Sequence, residues 1–248
     1  MRYFIQLSYN GKDFHGWQNQ PNAITVQAVI EDALTKLLRT PIEVIGAGRT
    51  DAGVHAKIMI AHFDTDQELK DNLVFKLNSF LPKSIAVQTI NAVKSDAHAR
   101  FDAISRSYIY RVSMEKDVFN FEQSYYFKNT LNVDEMNRAS KILFEYKDFQ
   151  CFSRTNTDVR TYNCKIMHAQ WKITENELIF EISADRFLRN MVRAIVGTML
   201  DIGVGKMKVE MLHDVIASKN RANAGASVPA HGLYLTDIKY HNAVYLNE

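Results

Sequence analysis

The sequence predicts an α+β fold made of two similar α/β halves, with helices on one face of a largely antiparallel sheet. Three observations lead there. Several segments alternate apolar and polar residues with period two. Others carry apolar residues at i, i+3, i+4 and i+7. The order strand, helix, strand then occurs in each half without detectable sequence identity. The halves are read as residues 1–104 and 105–248, together one compact unit, because no linker, low-complexity tract or charge run divides them. The second face of the sheet, and a cleft between the halves, are left for a ligand.

Tyr3, Ile5, Leu7 and Tyr9 alternate with Phe4, Gln6 and Ser8, which predicts the first strand. The turn Asn10-Gly11 follows, and then a loop, Lys12 to Gln18, that mixes aromatic and hydrogen-bonding groups. Thr25 suits a helix cap. Val26, Val29, Ile30, Ala33, Leu34, Leu37 and Leu38 form the apolar face of that helix, and Pro41 stops it. A strand runs through about Phe63. Leu69, Leu73, Leu77 and Phe80 predict a second helix closed by Pro82, and residues 85–90 a strand. Residues 96–101 make a polar and aromatic connection, and Ser105 to Met114 alternates again. Val133, Met136, Ala139, Leu143 and Tyr146 mark a helix, residues 149–159 a loop, and strands are expected near 162–173 and 177–184. Phe187 to Ile202 reads as an apolar helix, residues 207–218 as a short one, and Gly232-Leu233-Tyr234-Leu235 as the start of the last strand.

Composition narrows the class. At 248 residues with 46% hydrophobic content the chain is globular. Its net charge of +2 means that any nucleic-acid site must come from local clustering. Cys151 and Cys164 lack metal-binding spacing and read as free thiols in a reducing compartment. Residues 1–6 lack the apolar core of a signal peptide, and no apolar run approaches the ~18 residues of a membrane span. A cytoplasmic protein with no membrane association is expected.

Three constellations could carry chemistry. The first is Ile45 to His55, where three of the ten glycines fall within eight positions around Arg49-Thr50-Asp51. Apolar stretches enter and leave it, so it reads as a loop presenting Asp51 at a sheet edge. A lone D-x-G also describes a plain hairpin with a solvated carboxylate. One Asp between Thr50 and Ala52 does not make a metal site. An aspartic-protease reading needs a second such loop, and Ala52 stands where that motif has a hydroxyl residue. The second constellation is Arg106 to Arg111, whose Tyr108 and Tyr110 share a strand face. Those rings could stack on bases or pack a core. The third is Arg189 and Arg193, four apart on an apolar helix. An arginine there needs an anion or a route to the rim, and Asp51 is one candidate anion. Basic and aromatic residues, among them Phe101, Phe152 and Arg154, also interleave through loops and strand ends, as reading a folded RNA requires.

Taken in order, these stretches resemble the tRNA pseudouridine synthases of the A type. The resemblance spans nearly the whole chain. It runs through Tyr9-Asn10-Gly11, Phe14-His15-Gly16-Trp17-Gln18 and Val26-Gln27. The most specific stretch is Gly48-Arg49-Thr50-Asp51-Ala52-Gly53-Val54-His55-Ala56. Leu81-Pro82, His98-Ala99-Arg100-Phe101, Arg106 to Tyr110, Phe187 to Arg193 and Gly232 to Leu235 follow. Ser107 and Ile109 stand where the family often has basic residues.

The resemblance implies the pseudouridine synthase fold with an RNA-binding cleft. It implies isomerisation of uridine to pseudouridine in the tRNA anticodon stem-loop, at the positions conventionally numbered 38 to 40. It further implies no metal or organic cofactor and a homodimer sharing one tRNA. Asp51 matches the catalytic aspartate, Tyr108 the active-site tyrosine and Arg193 the basic residue that pairs with the aspartate. Arg49 matches an arginine that accommodates the flipped nucleotide. His55, Phe152, Arg154, Arg189 and Leu233 complete the expected substrate-binding set, with Tyr108 also in contact with the base. Two other classes share the same residues: a tRNA-binding module without catalysis, and an aspartate-dependent nucleosidase.

Overall fold

The computed structural model describes residues 1–155, 159–175 and 177–246. The chain forms two units, Met1–Ser105 with Tyr234–Glu248, and Arg106–Leu233. The middle of the expected 149–159 loop lies outside the described residues.

The first unit is assembled on β1 (Arg2–Tyr9), flanked on both sides. β3 (His55–Asp64) and β4 (Ile85–Val93) each pair with it antiparallel, so Ile5 faces Ala61 on one side and Ile90 on the other. Phe4, Ile5 and Leu7 are fully or nearly buried, as expected of a strand with neighbours on both edges. Its open end is fastened by Arg2, which donates from Nε and Nη2 to the two Asp64 oxygens at 2.8 and 2.7 Å. This bidentate pair holds the Asp64 carboxyl below the usual carboxylate range. The short β2 (Ile45–Gly46) adds to β3, and β9 (Leu233–Tyr240) lies parallel to β3 through the pairs His55–Tyr234 and Ala56–Leu235.

α1 (Val26–Leu38) begins where predicted, with Thr25 Oγ1 accepting from the Ala28 N–H. It buries Val26, Ile30, Ala33, Leu34 and Leu38 of the predicted face, with Val29 and Leu37 half-buried at its margins. It ends before Pro41, because Arg39 takes the left-handed conformation at φ 55°. α2 (Leu73–Phe80) starts one turn later than its apolar spacing suggests, so Leu69 lies outside it. α2 packs on β4, and α1 packs on α2.

The second unit centres on β5 (Ala103–Ser113) and β8 (Glu177–Ala184), paired antiparallel with Tyr108 opposite Ile182 and Tyr110 opposite Phe180. β7 (Ile166–Ile173) extends the sheet beyond β8, and the two-residue β6 (Tyr125–Tyr126) lies parallel to β5. Among the described residues the fold is therefore α+β, with mostly antiparallel strands. α3 (Val133–Ile142) packs on β7 and on α4 (Met191–Gly203). α5 (Met211–Ala217) is shorter than the predicted 207–218. α4 starts later than the apolar run beginning at Phe187, because Asn190 sits at φ 68° and cannot continue a helix backwards.

Trp171 stacks on Phe180 at 4.8 Å and donates its indole N–H to the Met199 sulfur, joining β7, β8 and α4 in one apolar core. The segment 224–228 passes so close to α4 that a Cβ on Gly197 would stand 1.8 Å from the Ala226 carbonyl oxygen. Thr198 closes the same contact, accepting from the Gly225 N–H at 2.8 Å while donating to the Ala194 carbonyl. Cys151 and Cys164 are free, buried thiols, each pushed up to about 12 chiefly by burial. They are poor nucleophiles at neutral pH.

His62 lies within β3, 3% exposed, with Nδ1 accepting from the Ala99 N–H. Burial first, then the charges of Arg2 and His98, lower its pKa from 6.5 to about 4. The folded chain thus binds fewer protons than the unfolded chain between those values. The neutral ring stabilises fully above pH 6.5, and that contribution is lost as pH falls toward about 4. Urea unfolding should show stability falling by up to about 3 kcal/mol across this window, less so in His62→Gln. A His62 ring titrating near 6.5 by NMR would contradict this reading.

Candidate active site

Two surfaces carry the candidate residues, and each is built within one unit. Arg49, Asp51 and His55 belong to the first unit. Tyr108, Phe152, Arg154, Arg189, Arg193 and Leu233 belong to the second.

In the first unit, Ala47 to Val54 forms a loop between β2 and β3 that is laced to the loop of residues 11–17. Ala47 N–H donates to the Ile60 carbonyl, and Trp17 N–H donates to the Thr50 carbonyl at 3.2 Å. Gly53 N–H donates to the Phe14 carbonyl, and Val54 N–H donates to the Asp51 carbonyl at 3.1 Å, closing a tight turn. Thr50 points inward, where its hydroxyl meets the Tyr9 hydroxyl at 2.8 Å in a buried contact. Arg49 and Ala52 are exposed on either side of the half-buried Asp51. The turn therefore fixes the backbone of Asp51, through its own main chain and through Thr50.

Two glycines of this region do different jobs. Gly16 adopts φ +91°, and a Cβ there would come within 2.5 Å of the Thr50 carbonyl oxygen. It is one point where the two loops approach too closely for a side chain. Gly48 meets nothing within 4 Å. The fold does not need its missing side chain, which leaves open space beside Arg49.

His55 is buried, with Nδ1 accepting from the Gly11 N–H at 3.1 Å and its ring stacked on Tyr234 at 4.6 Å. It fastens the 10–11 turn to β3, a job that its position after the Asp51 loop did not suggest.

In the second unit, Tyr108 and Tyr110 share a strand face as expected, and their fates diverge. Tyr110 is fully buried against Gly232, and its hydroxyl donates to the Pro229 carbonyl at 2.8 Å. Burial pushes that phenol well above its ordinary value. Tyr108 is half-buried, its ring edge-on to Phe187 at 5.1 Å and 88°. Arg193, in the first turn of α4, is half-buried. Its Nε donates to the Val228 carbonyl at 2.7 Å, while Val228 N–H donates to the Arg193 carbonyl. Asn190 donates to the Ser227 hydroxyl, which also accepts from Arg221, so the strap beside Arg193 is held at several points.

Arg154 and Arg189 are exposed neighbours, joined by the Arg154 N–H donating to the Arg189 carbonyl at 3.0 Å. Phe152 is completely buried, 6.4 Å from Phe149, and Leu233 is 6% exposed. Both pack the interior of the second unit; an aromatic in a loop and an apolar strand residue give no sign of burial from sequence alone. Val228 was not singled out in the sequence, and Tyr9 and Thr50 were named there without the contact that joins them. Their roles depend on partners 35 or more residues away, which no local spacing signals. Among the described residues no cluster of His, Cys, Asp and Glu is placed to hold a metal.

Residues 6–102 and 142–241 match the profile of the family described as tRNA pseudouridine synthase. The tRNA pseudouridine synthase A of Parabacteroides distasonis is 54% identical over 247 residues, covering 98% of each chain. That of Bacteroides fragilis is 49% identical, again over 98% of each chain. That of Bacillus subtilis is 39% identical over 98% of this chain and all of the other. The chain belongs to the tRNA pseudouridine synthase family.

The two glycines give a paired test. Gly16→Ala should cost about 1–3 kcal/mol in a urea melt, through its positive φ and the clash with Thr50. Gly48→Ala should stay within about 0.5 kcal/mol of wild type. Equal losses from both would contradict the lacing described here.

Proposed function

We propose that this protein isomerises uridine to pseudouridine in tRNA, with Asp51 as the group that acts on the sugar. The observation that carries the reading is the segment Gly48 to Ala56, embedded in a family match that extends over most of the chain. The proposed site in the RNA is the anticodon stem-loop, positions 38 to 40, and the proposed working form is a cytoplasmic homodimer sharing one tRNA.

The reaction is an internal exchange. The N1–C1′ bond breaks, the ring turns, C5 bonds to C1′, the C5 proton leaves and N1 gains a proton. Atoms and electrons balance without any other reagent. The target nucleotide must first be drawn from its stack at a cost of a few kcal/mol. In the proposal, Tyr108 offsets part of that cost by stacking on the base, ~1–3 kcal/mol. Its half-buried ring, steadied by Phe187, supports this role, whereas Tyr110 is committed to the core. Arg49 and the open space at Gly48 admit the extruded nucleotide. The Asp51 carboxylate then either attacks C1′, splitting one hard step into two, or takes the proton that opens a glycal route. Arg193 is assigned the part of the basic residue in this step, its own guanidinium aimed by the Val228 carbonyl.

Arg154 and Arg189 serve phosphates on this reading, in keeping with their exposure. His55, Phe152 and Leu233 support the site through packing, as their burial indicates.

Asp51→Asn tests the proposal. Assayed by tritium release from C5-labelled tRNA, a folded variant should lose at least about 10³-fold in rate while still binding tRNA. Mass spectrometry of RNA treated with wild type should show unchanged mass and a retained base. Release of free base would instead identify a nucleosidase. Tight, salt-dependent binding with no product from wild type would identify a binding module.

A further inference from the structure

The connection between β4 and β5 carries a feature that the reaction above does not use. Between Lys94 and Ala103, among the described residues, Phe101 is the one exposed large apolar side chain, at 73%. Its neighbours Ala97 and Ala99 are buried. The Arg100 guanidinium lies over the Phe101 ring, 5.6 Å from its centre, and the His98 ring lies 4.2 Å away.

The backbone under this ring is held at nearly every residue. Arg2 Nη1 donates to the Ala97 carbonyl at 2.9 Å, and Tyr240 donates to the Ala99 carbonyl at 2.6 Å. His62 Nδ1 accepts from the Ala99 N–H, and Asp102 accepts from the His98 N–H at 2.7 Å. His98 Nδ1 accepts from both the Arg100 and Phe101 N–H groups, at 3.1 and 3.4 Å. Side chains from β1, β3, β9 and the turn itself therefore fix a segment whose outermost group is an aromatic ring in water. None of these bonds involves the Phe101 side chain, so the fold does not depend on it.

A single exposed ring costs solvation and gives nothing to the core. One ring beside one guanidinium is also far smaller than a protein interface needs. It matches the size and chemistry of one unstacked base, which an aromatic face and a guanidinium plane both accept. Fixing the ring in advance lowers the ordering cost of binding.

We propose that Phe101 and Arg100 form a stacking platform for an unpaired base of the substrate tRNA, separate from the uridine that reacts, with Arg100 also meeting a phosphate. This rests on the proposed function, and the experiment separates the two.

Unmodified tRNA is titrated against wild type, Phe101→Ala, Phe101→Trp and Arg100→Ala at several salt concentrations, and tritium release is followed in parallel. Phe101→Ala should weaken binding and raise KM about tenfold, with kcat and the salt slope unchanged. Phe101→Trp should bind like wild type, and its indole emission should be quenched by tRNA; the two native tryptophans are buried and give a steady background. Arg100→Ala should reduce the salt slope by about one. Phe101→Ala binding within twofold of wild type, or indole emission that tRNA does not alter, overturns the platform while leaving the reaction intact. Wild type that neither binds tRNA nor releases tritium overturns the proposed function and the platform with it.

Discussion

The contact between the Thr50 and Tyr9 hydroxyls, together with the backbone bonds beside it, is what the account of Asp51 depends on. A carboxylate on a glycine-rich loop is ordinarily mobile, and a mobile acid cannot be held at one atom of a substrate. Here the residue before it is anchored in the interior, and its own carbonyl opens a turn closed by Val54. The anchor is β1, a strand paired on both sides, by β3 and by β4. Asp51 thus inherits its position from an interior strand of its unit. The close passage of the loop at Gly16 excludes any side chain there, so this order is written into the chain as an absence of atoms.

The second unit solves a similar problem differently. A guanidinium near the start of an apolar helix would sweep a wide volume if only its stem were held. The Val228 carbonyl captures Nε, and the Val228 N–H donates to the Arg193 carbonyl. That strap is kept against α4 by Gly197, Thr198 and Gly225, and near its origin by Asn190, Ser227 and Arg221. The left-handed Asn190 also explains why α4 begins at Met191 although the apolar run starts earlier. In both units a segment with a proposed chemical role is held by groups from distant parts of the chain.

Much of this was legible in the residues. The alternation in Tyr3 to Tyr9, the face of Val26 to Leu38 and the cap at Thr25 each describe local geometry, and each appears in the fold. The Asp51 loop was legible because glycines and chemical groups crowd into one short run. Other features were hidden because long-range partners decide them. Tyr108 and Tyr110 have the same pattern, and only Gly232 and Pro229, more than a hundred residues on, commit Tyr110 to the interior. His55 follows the glycine-rich run and resembles a functional group, yet Gly11 and Tyr234 occupy it. Phe152 sits in a loop, where burial against Phe149 leaves no local trace.

The most direct test of the central claim is a structure of the protein bound to its tRNA. The account predicts one uridine drawn out of the anticodon stem-loop, its base against the Tyr108 ring, and an Asp51 carboxylate oxygen within about 3.5 Å of that nucleotide's sugar. A complex in which tRNA is bound and every nucleotide stays remote from Asp51 would contradict it.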